Sequence, residues 1–351
     1  MPGLKIVGSG RYLPGKPYTN TDLARVMDTS DEWIRQRTGI QQRHYCPEGQ
    51  GVSDLAVEAS LSALEAAGKS PKDVDYILFN TMTPDHLFPG SAPLLGSKLG
   101  IPGVPALDLR AQCAAMVFSL QVAEGLLLSG AAKCILLVGA EAHSGFMPWL
   151  DWDILDGHST ATPSPEAWER ATRHRGLAII FGDGAGALVL ERSDEPSVGM
   201  LSCKVHSDGA LCDELLIPMG FRTRPYVTQE IVERELMIPQ MNGRDVFKHA
   251  VSKLPEAIRG ACAAAGVTFE EVDWFVGHQA NDRINNLVRE RLRLPKEKVP
   301  SNIALYGNTS AATIPILMDE MYRDGRLQPG QLVCLFALGA GMHWGAILLR
   351  I

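Results

Sequence analysis

A chain of 351 residues exceeds what one ordinary hydrophobic core organises, so two packed halves are expected. Its 33 basic and 40 acidic residues give a net charge of −7, which excludes bulk binding to nucleic acid or to an anionic membrane but not a local basic patch. Seven cysteines, an odd number without a C-x-x-C pair, exclude a disulfide framework and a zinc ribbon.

The N-terminus, Met1-Pro2-Gly3-Leu4-Lys5-Ile6-Val7, has no basic stretch followed by a long apolar one, so no export signal is expected. No uncharged apolar run approaches bilayer-crossing length, and the chain reads as cytoplasmic. From Val52 to Thr81 a helical apolar period ends in Ala66-Ala67-Gly68, followed by an acidic turn and a buried strand, Val74 to Phe79. The apolar run Val104 to Leu109 predicts a second strand, and a helix follows from about Cys113 to about Leu128. Another strand is expected at Cys134 to Gly139. Phe146 to Gly176 is irregular, rich in Trp, Asp, Pro and Ser, with a short helical piece at Pro165 to Arg173; so long an excursion reads as a functional cap.

The pattern then repeats. Asp245 to Asn281 again ends a helix in Ala264-Ala265-Gly266 and leads through an acidic turn into the strand Val272 to Gly277. Asp75 and Asp273 are 198 positions apart (273 − 75), and so are Gly68 and Gly266 (266 − 68). Cys113-Ala114-Ala115 is answered by Ser310-Ala311-Ala312 at an offset of 197 (310 − 113), and Cys134 to Gly139 by Val333 to Gly339. A period this long is not a solenoid repeat. It predicts two α/β halves of like topology, 1–176 with a cap at about 146–176 and 177–351, with strands buried on both faces.

Three residues in this frame can do chemistry. Cys113 lies at a helix N-terminus, where unpaired N–H groups and the helix dipole favour thiolate; its plain alternative is a buried, inert cysteine. His278 follows a strand end in Gly277-His278-Gln279-Ala280-Asn281, where open α/β sheets bind ligands. Asn308, in Gly307-Asn308-Thr309-Ser310, fits an ordinary turn or N-cap. Aimed at one point, its carboxamide and an imidazole N–H would instead form a neutral oxyanion hole. Gly182-Asp183-Gly184-Ala185-Gly186 runs into the strand-like Ala187 to Leu190, whereas a dinucleotide fingerprint opens a helix. No metal-ligand cluster is apparent.

Thr29-Ser30-Asp31-Glu32-Trp33-Ile34, Arg37-Thr38-Gly39-Ile40, Cys113, Phe181-Gly182-Asp183-Gly184-Ala185-Gly186-Ala187, His278-Gln279-Ala280-Asn281 and Gly307-Asn308-Thr309-Ser310-Ala311-Ala312 together resemble the thiolase-fold condensing enzymes, and within them β-ketoacyl-acyl-carrier-protein synthase III. The resemblance covers nearly the whole chain. It implies a layered αβαβα structure and a cofactor-independent acyltransferase. Thiolases need a second cysteine in the C-terminal glycine loop, which here reads Gly339-Ala340-Gly341-Met342-His343, and elongating synthases carry histidine where Asn308 stands.

By the same resemblance, Cys113 takes an acyl group from acyl-CoA, with the oxyanion held by the N–H groups of Cys113 and Ala340. His278 and Asn308 then stabilise the enolate formed as malonyl on acyl carrier protein loses CO2. Trp33 and Arg37 are expected to hold the CoA adenine, with Arg244, Phe247, Ala280, Asn281 and Leu338 along the pantetheine and acyl path. Lys248, Arg283 and Arg291 are expected to meet the acidic carrier protein, and Phe88 to reach across a homodimer into the partner's acyl pocket.

The chain also departs from the family pattern. Leu338-Gly339-Ala340-Gly341 stands where Phe-Gly-Gly-Gly is usual, and Gln112-Cys113-Ala114-Ala115 where Ala-Cys-Ala-Gly is typical. The long cap lacks the CoA-binding arginine at its expected place, leaving Arg173 or Arg175 as substitutes. A medium or longer acyl donor is therefore expected. Transfer to an alcohol or amine without loss of CO2, and a silent partner subunit, are the alternatives.

Overall fold

The computed structural model describes residues 3–195 and 197–351. Nine strands build two sheets. The first holds β1 (Gly3–Tyr12), β2 (Tyr76–Asn80), β3 (Ala106–Leu109), β4 (Cys134–Glu141) and β5 (Gly184–Ser193), in the spatial order β1-β5-β4-β2-β3. The second holds β6 (Gly199–Ser207), β7 (Trp274–Gly277), β8 (Leu332–Gly339) and β9 (His343–Arg350), in the order β7-β8-β9-β6.

The duplication is visible in strand direction. In the first sheet β2 and β4 are parallel, β4 and β5 antiparallel, and β5 and β1 antiparallel. The second repeats this series with β7 and β8, β8 and β9, and β9 and β6. One boundary differs from expectation. β5 pairs with both β1 and β4, so residues 184–193 complete the first sheet, and the change of sheet falls between Ser193 and Gly199 rather than at 176/177.

Apolar alternation makes the layers. In β4, Cys134, Leu136, Val138 and Ala140 enter one apolar cluster while Ile135 and Leu137 enter another. In β8, Val333, Leu335 and Ala337 face inward while Cys334, Phe336 and Leu338 face outward. A strand with period-two side chains and both faces covered reads as an unbroken apolar run.

Helices fill the space on each side. α1 (Asp31–Thr38) lies apart, near the later functional cleft, and α2 (Val52–Ala66) covers the outer face of the first sheet. α3 (Ala115–Ser129) packs between the sheets, α4 (Pro165–Arg173) forms in the cap where expected, and α5 (Gly243–Ala265) and α6 (Asp282–Leu292) cover the second sheet's outer face. α7 (Thr313–Arg323) joins α3 in the central layer, completing the five-layer αβαβα order. Gln112–Ser129 is long and apolar enough to span a bilayer by length and composition, but it is not an uncharged run, since it carries Glu124, and it contributes Met116, Val117, Leu120, Ala123 and Leu127 to the core.

The two central helices open alike, and the structure corrects their register. Short 3₁₀ turns, Gln112–Ala114 and Ser310–Ala312, precede α3 and α7 at an offset of 198 (310 − 112). Gln112 therefore corresponds to Ser310, and both have φ +46°, a left-handed conformation that costs an L-residue about 1–2 kcal/mol. Each turn rests on a glycine of the other half's sheet. At Gly139 an added Cβ would lie 2.3 Å from the Ala311 carbonyl oxygen, and at Gly339 it would lie 2.8 Å from the Cys113 nitrogen.

Gly139→Ala should therefore cost about 1–3 kcal/mol, because the obstruction is backbone and cannot rotate away. A thermal melt should show the midpoint falling by several degrees. An unchanged melt would show that the turn has room to move.

Candidate active site

Cys113 is held by the short connection from β3 to α3. Its backbone nitrogen abuts Gly339 at the end of β8, bringing the Cys113 N–H against the C-terminal glycine loop. Its Sγ lies 3.4 Å from the Ser310 hydroxyl, on the mirrored turn. Only 8 % of the residue is exposed. Burial pushes the thiol up to about 12, outweighing the opposing Ser310 contact, while the nearby Glu141 carboxylate pushes the same way. The thiolate expected from the helix N-terminus is therefore not the resting form.

His278 leaves the end of β7, its backbone N–H bonded to the Phe336 carbonyl at 2.9 Å and its own carbonyl accepting from Asn285 Nδ2 at 3.1 Å. Its Nδ1 lies 2.7 Å from the Thr313 hydroxyl, which donates to the Ser310 carbonyl at 3.0 Å. A hydroxyl has one proton. While Thr313 gives that proton to Ser310, it can only accept at Nδ1, so the imidazole proton sits on Nδ1 and Nε2 keeps a lone pair. Burial, with the neighbouring His143, pulls the imidazole down to about 3. His278 is thus a neutral acceptor at rest, rather than the N–H donor expected from sequence.

Asn308 is pinned from three sides. Its N–H donates to the Ile180 carbonyl at 2.9 Å, its carbonyl accepts from Gly182 at 3.1 Å, and its Oδ1 accepts from the Ser310 N–H at 2.8 Å. The side-chain bond is the ordinary asparagine turn that the sequence suggested. It also fixes the amide plane, leaving the Nδ2 donors for a ligand.

Cys113, His278 and Asn308 line one cavity of about 120 Å³. Its other walls are mostly apolar: Val246, Phe247, Ala250 and Leu254 from α5, Ile284 from α6, and Phe181, Leu215, Met241, Phe336 and Leu338. Ala280 and Asn281 also line it. Such a chamber strengthens any fixed dipole within it.

The remaining expected residues lie around the cavity. Ala340 follows Gly339 just outside the lining set, and Arg244 is exposed on the first turn of α5. On α1, the Arg37 guanidinium stacks 4.2 Å from the Trp33 ring, while the Arg37 carbonyl accepts from Asn281 Nδ2 at 3.0 Å, tying α1 to the cavity rim. Between the two cap arginines the structure distinguishes clearly. Arg175 stacks on Trp33 at 4.8 Å and pairs with Asp28, whereas Arg173 turns to Glu169 and Glu235.

Lys248 and Arg283 are exposed on α5 and α6, with Arg283 5.8 Å from the Phe247 ring. Arg291 bonds the Val251 carbonyl at 2.7 Å, linking the same two helices. Phe88 is 79 % exposed and outside the cavity. Sequence reasoning missed Thr313, Ser310, Leu215 and Met241. The mirrored turn pointed toward Ser310 and Thr313, whereas Leu215 and Met241 belong to an irregular segment with no periodic signal.

The family model for 3-oxoacyl-[acyl-carrier-protein] synthase III matches residues 107–162 and 166–209, and the model for that family's C-terminal part matches residues 262–351. The chain is 41 % identical to a β-ketoacyl-[acyl-carrier-protein] synthase III of Caulobacter vibrioides over 350 residues, covering 99 % of each. It is 40 % identical to a protein of the same description from Xanthomonas campestris, covering 99 % of this chain and 98 % of the relative. The crystal structure of 3-oxoacyl-[acyl-carrier-protein] synthase III from Aquifex aeolicus superposes with a TM-score of 0.85 at 38 % identity, covering 99 % of this chain and all of that one.

The raised thiol gives a pH signature. Alkylation of Cys113 by iodoacetamide needs thiolate, so its rate should climb steadily from pH 7 through pH 10, because the thiolate fraction keeps growing up to about 12. Mass spectrometry of the labelled peptide measures this. A plateau near pH 7 would mean that the thiolate is already formed at rest.

Proposed function

The chain belongs to the 3-oxoacyl-[acyl-carrier-protein] synthase III family, and on that premise we propose that it joins an acyl-CoA to malonyl-acyl carrier protein, releasing CoA, CO2 and a 3-oxoacyl-acyl carrier protein. The carrying observation is the convergence of Cys113, His278 and Asn308 on one apolar cavity. Neither half supplies all three.

In the first half-reaction, Cys113 Sγ attacks the thioester carbonyl while its proton passes to His278 Nε2. With the thiol pushed up to about 12 and the imidazole down to about 3, a standing ion pair is unfavourable, so proton transfer accompanies attack. The N–H groups of Cys113 and Ala340 hold the tetrahedral oxyanion. Collapse breaks the bond to CoA sulfur, which leaves with the proton held by His278.

In the second, the malonyl C–C bond to the carboxylate breaks and CO2 departs. The electron pair becomes an enolate whose oxygen accepts from Asn308 Nδ2. The enolate carbon attacks the acyl-Cys113 carbonyl, the sulfur is expelled as thiolate, and it takes up a proton from solvent, the one proton that the overall reaction consumes.

Around this chemistry, Trp33 with Arg37 and Arg175 forms a stacked cationic face suited to an adenine and its phosphates. Lys248, Arg283 and Arg291 give a net-acidic protein a local positive surface beside the cavity for an acidic carrier protein. Phe88 and its neighbour Leu87, both exposed and apolar, suit a homodimer contact. The apolar walls and Leu338 favour a medium or longer acyl donor.

Incubation with acyl-CoA should add one acyl mass to Cys113 and none to Cys113→Ala; an unmodified Cys113 during turnover would refute the covalent step. Asn308→Ala should retain the adduct while CO2 release from malonyl thioester falls by about 100-fold. A panel from acetyl- to dodecanoyl-CoA tests donor length, and acetyl-CoA at least about tenfold better in kcat/KM than octanoyl-CoA would exclude the longer-donor reading.

Arg175→Ala should raise KM for acyl-CoA about tenfold with little change in kcat, the sign of lost binding rather than lost chemistry. A fall in kcat at unchanged KM would remove Arg175 from the CoA site.

A further inference from the structure

We propose that His143 is a positioning residue for the Asn308 carboxamide, acting through the backbone of Phe181 and Gly182. This rests on the reading above that Asn308 holds the enolate oxygen. His143 stands just beyond β4, fully buried, and opens a 3₁₀ turn, His143–Phe146. Its ring lies face to face on Phe181, centres 4.5 Å apart and planes 18° apart, with Phe146 edge-on to both. A histidine in such an aromatic box incurs desolvation that phenylalanine or leucine would avoid, so its polarity needs a reason.

The reason lies on one side of the ring. His143 Nδ1 is 2.8 Å from the Gly182 carbonyl, which can only accept, so Nδ1 carries the proton. Among the described residues Nε2 has no partner. His143 thus directs its Nδ1–H to the Gly182 carbonyl as its hydrogen-bond acceptor, with the buried Asp183 carboxylate farther off, 3.6 Å from the same nitrogen.

That peptide adjoins Asn308. Gly182 donates its N–H to the Asn308 carbonyl, Asn308 donates to the Ile180 carbonyl, and Phe181 forms a parallel bridge with Asn308. Phe181 also lines the cavity. Gly182 has little freedom to relax, since an added Cβ would lie 2.4 Å from the Tyr306 carbonyl oxygen.

The contacts form one path: imidazole to Gly182 carbonyl, Gly182 N–H to Asn308 carbonyl, and Asn308 Oδ1 to Ser310 N–H. Removing the first donor leaves the Gly182 carbonyl buried without it; the same peptide stays held at its Asp183 N–H by the His44 carbonyl at 2.8 Å, so the response is a small tilt passed through the Gly182 Cα to the preceding peptide, whose N–H meets Asn308. The tilt reaches Asn308 directly, whereas the Cys113 backbone is seated on Gly339 and its Sγ meets only the far end of the path, through the Ser310 hydroxyl at 3.4 Å. Decarboxylation should therefore suffer while acyl transfer from CoA does not.

The test measures both half-reactions in His143→Leu, His143→Asn, His143→Gln and Asn308→Ala. His143→Leu should acylate Cys113 within about twofold of the parent but release CO2 from malonyl thioester about tenfold more slowly. Asparagine puts an N–H donor at the Nδ1 position and should restore CO2 release to within about threefold; glutamine, with its amide at the Nε2 position, should not. The asparagine–glutamine contrast stands even if the leucine variant fails to fold.

Equal loss in both half-reactions, parent-like CO2 release in His143→Leu, or asparagine no better than glutamine would each overturn the role of His143. Parent-like CO2 release in Asn308→Ala would instead overturn the reading of Asn308 itself.

Discussion

Reciprocal seating of two turns on two glycines is the constraint from which the site follows. The Gln112–Ala114 turn of the first half presses on Gly339 of the second sheet, and the Ser310–Ala312 turn of the second half presses on Gly139 of the first. Each contact excludes even a methyl group, so the halves can pack in only one relative position at this point. Cys113 and Ser310 consequently meet at 3.4 Å across the pseudo-symmetric join. Duplication supplied two equivalent turns, and divergence gave a sulfur to one and a hydroxyl at a neighbouring position of the other.

The electrostatics follow from the depth of that join. Burial penalises charge on both the Cys113 and His278 side chains, raising the thiol and lowering the imidazole, so the resting site holds neutral groups. Fixed dipoles surround these neutral groups: backbone N–H groups at the Cys113 turn and the Asn308 carboxamide, whose Oδ1 is held by the Ser310 N–H. Thr313 belongs to this arrangement because its single proton, given to Ser310, decides which imidazole nitrogen is free.

The sequence made the large features legible because they rest on repetition. Matching helix, acidic turn and strand at an offset of 198 needed no structure to suggest two like halves, and the apolar runs at Cys134 and Val333 became strands covered on both faces. The sheet change was misplaced because strand 184–193 follows the cap yet closes the first sheet, and adjacency along the chain carries no sign of such a return. The turn offset was misjudged by one residue because Cys113-Ala114-Ala115 and Ser310-Ala311-Ala312 look alike, whereas backbone conformation equates Gln112 with Ser310. Cys113, His278 and Asn308 stood out as residue types at element ends. Their protonation did not, because depth of burial and Thr313 are tertiary facts.

The cap shows how far local sequence can narrow a site and where it stops. Arg173 and Arg175 are two positions apart and of one chemistry, so composition cannot choose between them. The choice is made by Glu235, which accepts from Arg170 at 2.5 Å, from Arg173 at 3.4 Å and from the His174 side chain at 2.7 Å. Partial burial pushes that carboxyl up, but the His174 and Arg170 contacts prevail and hold it below its ordinary value. With Arg173 turned toward Glu235, the chain leaves α4 at His174, and Arg175, opening the next short helix, meets Trp33 and Asp28. The same cluster anchors the cap to the second-half segment between Leu215 and Met241, both of which line the cavity. One carboxylate therefore connects the wall of the cavity to the aromatic face outside it.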